Sequence, residues 1–316
     1  MNAGIHLWHE CGGCGARPIV GVRYQCQSCP AGPDIDLCAS CHERQQAGER
    51  LHPKDSAIPG VQEHRFEAMN SAVLELPQHW LDLAKPSSPP APAVPDGFVV
   101  RPEFRAGRHT GFGGYGFAVQ SAEIGLGAVV LTALHVMDEL FKAFGLDGRV
   151  QGAALELAPK VTAVQLYDVF APNWMLAELG RATSMLALQE AHFGAEEPNS
   201  DGDIAAFLLP DPSLHAPGRL APEPPRVGDP VFLAARDDSG GMARTLGAVV
   251  VEQTARSLIF RFDDPDLEAP FSSGAPVLDP TGQVVGINVG GGAFGGHRFG
   301  HANHVGNIRR HLSEAG

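Results

Sequence analysis

Past Cys41 the chain has no cysteine at all, although it runs to 316 residues and carries six cysteines up to that point. A disulfide framework would place its half-cystines in the part that needs stapling, so the larger part of this chain must fold on an apolar core of its own. Positive charge is also scarce: 23 Lys and Arg face 36 Asp and Glu, for a net charge of −13 at pH 7. That balance argues against a nucleic-acid backbone or an anionic membrane surface as partner. There is no apolar run long enough for a transmembrane helix, no internal repeat and no phosphate-cradling loop, since the glycine cluster from Gly290 to Gly296 lacks the required lysine. The opening residues Met1 to His6 hold no basic stretch leading into an apolar one, so a secretory signal is not expected. Together with the reduced thiols argued for below, these absences point to a cytoplasmic protein, neither nucleic-acid-bound nor membrane-bound, whose partner is a polypeptide.

What is present begins with three Cys-x-x-Cys pairs: Cys11/Cys14, Cys26/Cys29 and Cys38/Cys41. A two-residue gap lets both thiolates of a pair face one ion, so each pair is half of a tetrahedral zinc site. Three pairs need two further ligands to close two sites, and His52 and His64 downstream supply them. The count then balances at two structural zinc ions. His42, directly after Cys41, is a rival ligand that reads better as an exposed side chain.

These residues resemble the ZZ-type zinc finger. The resemblance runs through Cys11-Gly12-Gly13-Cys14, Pro18 to Cys26, Asp34-Ile35-Asp36-Leu37-Cys38-Ala39-Ser40-Cys41 and His64-Arg65-Phe66, and so spans residues 1–68 as a domain. It implies a cross-braced arrangement in which Cys11, Cys14, Cys38 and Cys41 hold one zinc and Cys26, Cys29, His52 and His64 the other. Members of the family capture free protein N-termini, and Asp34 and Asp36 match the acidic positions that hold the ammonium group. Two carboxylates pointing the same way from a strand would accept its hydrogens in charge-assisted contacts. A solvated turn that caps local backbone is the other reading of this pair. Gly12 stands where the family often has a further acid.

Residues 69–97 read as a connector. Pro86 to Pro95 holds five prolines in ten residues and nothing that builds a core, so it favours an extended polyproline spacer of about 30 Å. The apolar piece from Ala72 to Lys85, with Leu74, Leu76, Trp80, Leu81 and Leu83, is able to pack on either neighbour.

Residues 98–316 are rich in short strand-like runs bounded by Gly, Pro or Asp: Gly116–Val119, Gly127–Thr132, Ile204–Leu209, Pro230–Leu233 and Gly282–Ile287. A mainly β fold is expected, interrupted by helical spacing only at Val136–Phe144 and Val305–Leu312. Three residues stand where strand meets loop, the place where a side chain is rigidly aimed: His135, Asp203 and Ser273. Singly, each is an ordinary loop or strand-end residue.

In combination they resemble the chymotrypsin-like serine peptidases, particularly the HtrA-like bacterial branch. The matching stretches are Gly113 to Phe117, Leu131 to Val136, Gly202 to Ala205, Ser273 to Asp279 and Gly282 to Ile287. The resemblance implies two six-stranded antiparallel β-barrels, with His135 and Asp203 from the first and Ser273 from the second. His135 would take the Ser273 proton, Asp203 would fix the imidazole tautomer, and the backbone amides of Phe271 and Ser273 would form the oxyanion hole. Phe271 departs from the family's glycine, and a bulky residue resists the peptide orientation that the hole needs if that lies at positive φ. Val289, Gly290 and Gly291 would pair with an extended substrate, Gly300 would border the first specificity pocket, and Leu267 near its base would favour a small or aliphatic side chain. Glu268 beside it would favour the opposite. His297, His301 and His304 crowd one region at irregular spacing and read as core or solvated histidines rather than a third metal site.

The whole then reads as a serine endopeptidase whose zinc finger selects the protein it cuts, tethering serving to raise local substrate concentration. A peptidase-like adaptor in which both domains bind and neither cleaves is the alternative. A peptidase that processes its own connector is a third.

Overall fold

The computed structural model describes residues 5–6, 11–16, 19–26, 35–49, 51, 65–69, 78–83, 89–121, 127–137, 140, 144, 155, 157–171, 177–188, 191, 201–213, 215–236, 243–267, 272–294 and 296–314. The chain divides into two compact units. One is Met1–Asp82 with Ala195–Pro198 and Gly291–Phe299, and the other is Leu83–Gly194, Asn199–Gly290 and Gly300–Gly316.

The first unit is small and metal-site-like. Strands β1 (Ile5–His6) and β2 (Ile19–Val20) pair antiparallel, and β3 (Arg23–Cys26) pairs with both β4 (Asp36–Cys38) and β5 (Phe66–Met69). Helix α1 (Ala39–Gln46) follows β4 directly and α2 (Gln78–Asp82) closes the unit's first segment. Its apolar centre is only Cys11, Ile19, Leu37 and Cys41, with Tyr24, Cys38, Leu51 and Phe66 packed against it. So small a cluster supplies little hydrophobic stabilisation, which is the situation in which a structural metal carries the fold.

In the second unit β6 (Val99–Ala106), β7 (His109–Phe112), β8 (Gly116–Ser121), β9 (Gly127–Thr132), β10 (Ala163–Asp168), β11 (Glu178–Ala182) and β12 (Ala205–Leu209) form one antiparallel sheet, ordered β11-β10-β6-β8-β9-β12 with β7 added to β6. Its ends meet. The chain just past β11 bonds to β12 through Thr183 N to Leu208 O at 2.8 Å, Leu208 N to Ser184 O at 3.1 Å and Leu186 N to Ala206 O at 2.8 Å. Then β13 (Pro230–Arg236), β14 (Ala243–Gln253), β15 (Ser257–Phe262), β16 (Pro276–Leu278), β17 (Val284–Phe294) and β18 (His297–His304) form a closed barrel, ordered β13-β14-β15-β18-β17-β16, of which the stretch Gly291–Phe299 groups with the first unit, and helix α3 (Val305–Glu314) follows. The expected mainly β architecture with two barrels is therefore what the chain forms, with seven strands rather than the expected six in the first. Strands β9 and β15 are buried along almost their whole length, on both faces, and rings such as Phe104 and Phe207, 5.6 Å apart, pack in the core.

Two expectations need adjusting. The helix expected over Val136–Phe144 begins as a 3₁₀ turn, Leu134–Met137, with a helical bond from Phe144 N to Leu140 O at 3.1 Å beyond it. The proline stretch is not a free spacer along its length. Val94 packs on the core of the second unit, a β-carbon on Gly282 would lie 3.6 Å from Pro92, and Arg261 donates to the Leu83 carbonyl at 2.6 Å. Trp80 in α2 is fully buried, its ring 5.9 Å from that of Phe299 within the first unit.

Candidate functional sites

The first site is built where β4 runs into α1. The turn from Cys11 closes through Gly15 N to Cys11 O at 2.7 Å and Cys11 N to Ala16 O at 2.9 Å, presenting Cys11 and Cys14 on one side. Gly12 N bonds to Asp36 O at 2.8 Å and Cys38 N donates to Cys11 Sγ at 3.3 Å, which sets that turn against the end of β4. The ligand atoms of Cys11, Cys14, Cys38 and Cys41 consequently all lie within 4.8 Å of one another. Cys14 Sγ and Cys38 Sγ are 3.9 Å apart, close to the edge of about 3.8 Å that a tetrahedron with zinc–sulfur bonds of about 2.3 Å requires.

Crowding shifts the thiols of this cluster in opposite directions. Burial works against ionising Cys38, but the Ser40 hydroxyl, the Cys41 backbone N–H and the thiols of Cys11 and Cys41 outweigh it and bring Cys38 down to about 6. Burial, then the same neighbouring sulfurs, pushes Cys41 up instead. Four such groups cannot all ionise side by side without a positive ion between them. The set fits one zinc, closed by four protein ligands and so structural rather than catalytic. For the second expected ion, Cys26 is buried at the end of β3. Its partners Cys29, His52 and His64 lie outside the described residues.

The acidic pair departs from expectation. Asp34 lies outside the described residues, and Asp36 does not face solvent. Its carboxylate is 3% exposed and accepts from Arg23 Nη1 at 3.1 and 3.2 Å, with Arg23 itself fully buried. The antiparallel register, which sets Arg23 opposite Cys38 and Gln25 opposite Asp36, brings the two side chains together diagonally across β3 and β4. Asp36 therefore neutralises a buried cation of its own domain. His42 is not simply exposed either. Its ring stacks on Tyr24 at 3.7 Å and meets Phe66 edge-on at 5.6 Å, and burial lowers its pKa.

The second site lies in the barrel unit. His135 follows β9 in the 3₁₀ turn, and Asp203 sits two residues before β12, which pairs with β9, so two positions 68 residues apart meet at one barrel end. Asp203 Oδ1 accepts the His135 backbone N–H at 2.8 Å and Oδ2 accepts the ring Nδ1–H at 2.6 Å. A carboxylate only accepts, so Nδ1 carries the proton and Nε2 is left as the basic nitrogen of the neutral ring. The carboxylate is almost buried while the imidazole keeps 31% of its side-chain surface, enough to meet an incoming group.

Ser273 is presented by a tight turn. Ala275 N bonds to Ser272 O at 3.0 Å across Ser273 and Gly274, and Gly274 has φ +84, which makes this a type II turn with glycine at the position that needs it. Asn288 on β17 holds both arms: its Nδ2 donates to Ser272 O and Ser272 Oγ, each at 3.1 Å, and its backbone bonds Gly274 N at 2.7 Å and Ala275 O at 2.9 Å. Tyr115 N donates to Ser273 O at 2.7 Å. A β-carbon on Gly114 would fall 2.3 Å from Ser273 O, and one on Gly113 would fall 2.1 Å from the Val136 carbonyl. The Gly113-Gly114 pair thus passes between the histidine's turn and the serine's turn at backbone contact. Among the described residues no hydrogen bond is found between Ser273 Oγ and the His135 ring.

Of the other expected residues, Phe271 and Glu268 lie outside the described set, and Leu267 is half-buried against the core. Val289, Gly290 and Gly291 follow one another along β17, each partly exposed. Gly300 is buried, and a β-carbon there would fall 2.2 Å from Phe260 Cζ, so tight packing alone accounts for its glycine. His301 and His304 are core histidines, as read. Burial holds His301 down at about 4, against an opposing pull from Asp203, and His304 Nδ1 caps α3 by accepting from Gly306 N at 3.0 Å and Asn307 N at 3.3 Å. Sequence reasoning missed Tyr115, whose contribution is a backbone N–H and leaves no trace in residue type, and Asn288, Asn303 and Asn307. An amide inside an apolar strand or on the buried face of a helix was the available signal for those three.

Residues 5–51 match the model of the ZZ-type zinc finger. The E3 ubiquitin-protein ligase PRT1 of Arabidopsis thaliana is 31% identical over 84 residues, which are 27% of this chain and 16% of that protein. Solved structures similar to this chain include a Glu endopeptidase (13% identity, 71% of this chain, 93% of that one, TM-score 0.45). Another is the active form of the Rv3671c protease from M. tuberculosis (20%, 70% and 81%, 0.42). A third is the scabies mite inactivated protease paralogue S-I1 (15%, 67% and 90%, 0.41). Among the described residues no helix is long and apolar enough to cross a membrane.

Proposed function

We propose that this chain, in which residues 5–51 match the ZZ-type zinc finger and the rest forms two β-barrels, is a serine endopeptidase acting on proteins recruited through the finger. The observation that carries the proposal is the double grip of Asp203 on His135, through backbone N–H and Nδ1–H together. That arrangement orients a neutral imidazole with Nε2 as base, beside a serine held at a turn whose backbone is bonded to the strand next door.

In the proposed reaction His135 Nε2 takes the Ser273 proton as Oγ adds to the scissile carbonyl. Asp203 steadies the imidazolium, and the proton then passes to the leaving amine. Backbone N–H groups of Ser273 and Phe271 receive the oxyanion. An acyl-enzyme on Ser273 is released when water repeats the sequence. In this scheme substrate docking brings the Ser273 hydroxyl onto His135 Nε2. Val289 to Gly291 take the substrate backbone as an added strand, with Leu267 and Gly300 near the first side-chain pocket.

The finger contributes binding. Two zinc ions are proposed, the first on Cys11, Cys14, Cys38 and Cys41 and the second on Cys26, Cys29, His52 and His64. Capture of a free N-terminus falls to Asp34, because Asp36 is committed to Arg23. A cytoplasmic site of action is supported by the clustering of Cys11, Cys14, Cys38 and Cys41 as metal ligands rather than as disulfides.

Phe271, where the resembled peptidases have glycine, favours one second reading, an adaptor built on a peptidase scaffold. A fluorophosphonate probe separates the two. Labelling that vanishes in Ser273→Ala establishes the peptidase, and absence of labelling under every condition, added protein partner included, establishes the adaptor.

A further inference from the structure

The segment Asp201-Gly202-Asp203 carries the carboxylate that grips His135, yet its backbone is held from the far end of the sequence. Asn303 at the end of β18 donates Nδ2 to Asp203 O at 3.2 Å. Asn307 on α3 divides its two Nδ2 hydrogens between Asp201 O at 2.7 Å and Asn303 Oδ1 at 3.0 Å. One turn further on, His311 Nε2 lies 3.0 Å from the same Asp201 carbonyl. All three side chains are buried, Asn303 and His311 fully and Asn307 to 2% exposure.

Asn307 is the pivot of this ladder. Its Oδ1 accepts from Arg310 Nε at 3.3 Å and Nη2 at 3.1 Å, and a cation on the oxygen makes the amide hydrogens stronger donors. Its backbone N is capped by His304 Nδ1, which fixes where α3 begins. Asp201 is tied from outside as well, by Arg256 Nη1 on its carboxylate at 3.4 Å. Buried amides with every contact made rigidify the backbone they hold, and here that backbone ends at the Asp203 carboxylate.

We propose that Asn307, acting with Asn303, is a positioning residue: it sets the Asp203 loop and through it the orientation of the His135 ring. The proposal rests on the reading of His135, Asp203 and Ser273 as a catalytic set, and its test is chosen to be separable from that reading. In proton NMR the His135 Nδ1 proton, shared with Asp203, gives a resonance downfield of the amides whether or not the protein cleaves anything. Its assignment follows from its loss in Asp203→Asn. In Asn307→Ala and in the near-isosteric Asn307→Asp, which keeps acceptors and loses both donors, that resonance broadens or disappears although the barrels stay folded by circular dichroism. The rate of fluorophosphonate labelling falls on the order of a hundredfold, as a misplacement of about 1 Å would cause. Restoring an amide donor with Asn307→Gln returns part of both signals.

An unchanged resonance in folded Asn307→Ala and Asn307→Asp overturns the proposal. If neither variant folds, the parent protein decides. Asn307 side-chain amide protons protected from exchange like the core amides support it, and exchange at the solvent rate overturns it. Absence of labelling in the parent would remove the peptidase reading and leave the resonance test standing.

Discussion

The backbone N–H of Tyr115 donates to the carbonyl oxygen of Ser273 at 2.7 Å, so the turn that offers the serine is bonded to the strand that leads toward the histidine's side of the site. The fit is close enough that Gly274 has no room to become anything else. A β-carbon there would lie 1.9 Å from Tyr115 O and 2.5 Å from Thr132 Oγ1, at a φ that side-chain-bearing residues avoid.

Gly274→Ala should therefore cost at least about 2 kcal/mol of stability and abolish fluorophosphonate labelling, read by thermal melting and by mass spectrometry of the labelled chain. Melting unchanged from the parent would mean that the turn is not held as described.

Asp203→Asn offers one amide oxygen and an N–H₂ where the carboxylate accepted both the His135 backbone N–H and the ring Nδ1–H. The imidazole is expected to turn to the wrong tautomer with the fold retained, and labelling or peptide cleavage to fall by about 10⁴-fold. A loss below tenfold would show that the double grip on His135 is dispensable.

His301 is fully buried with its pKa held down at about 4 by desolvation. A group whose folded pKa lies below its unfolded value of about 6.5 leaves the unfolded state holding more protons, so stability is complete above about pH 6.5 and is lost as pH falls toward 4. The loss amounts to roughly 3 kcal/mol at about 1.4 kcal/mol per unit. His304, also lowered by burial, adds to it in the same direction. Urea midpoints at pH 7 and pH 5 should differ clearly in the parent and less in His301→Gln. An equal slope in both would remove His301 as the cause.

Arg23 and Asp36 predict an asymmetry. Arg23→Met leaves a carboxylate buried without its cation and should cost about 3 to 5 kcal/mol in the finger, whereas Arg23→Met with Asp36→Leu should recover most of that. Zinc-dependent folding of the finger, followed by circular dichroism, is the readout. A double variant as impaired as the single would point to a role for the pair beyond charge balance.

Metal content is directly countable. Two zinc ions per chain are expected by atomic absorption, with one lost in Cys38→Ser and one in Cys26→Ser. A parent value of one would confine the metal to the Cys11, Cys14, Cys38 and Cys41 cluster.

How far the residues announced this structure differs between its parts. Pair spacing foresaw half-sites of two thiols each, and the resemblance to the ZZ-type finger implied which pairs would share an ion, the cluster of Cys11, Cys14, Cys38 and Cys41. Barrel strands announced themselves through β-branched runs between glycines, as at Gly127–Thr132, and the His135–Asp203 meeting followed from strands that turned out to be neighbours. Direction was harder. Asp36 looked like a surface acid because its charge was visible and its partner, thirteen positions earlier on another strand, was not. The prolines from Pro86 to Pro95 looked like free chain, since proline composition says nothing about whether Val94 finds a core to lie on. Asn303 and Asn307 could be placed only once the last strand and helix were seen to run beside the Asp203 loop.

That last arrangement has a consequence during synthesis. The loop with Asp203 leaves the ribosome about a hundred residues ahead of the amides that hold it, since Asn303 is 100 positions further along the chain. On the proposed reading, a chain still short of α3 would carry Asp203 without the amides that position it, and full cutting power would arrive only once that helix is made.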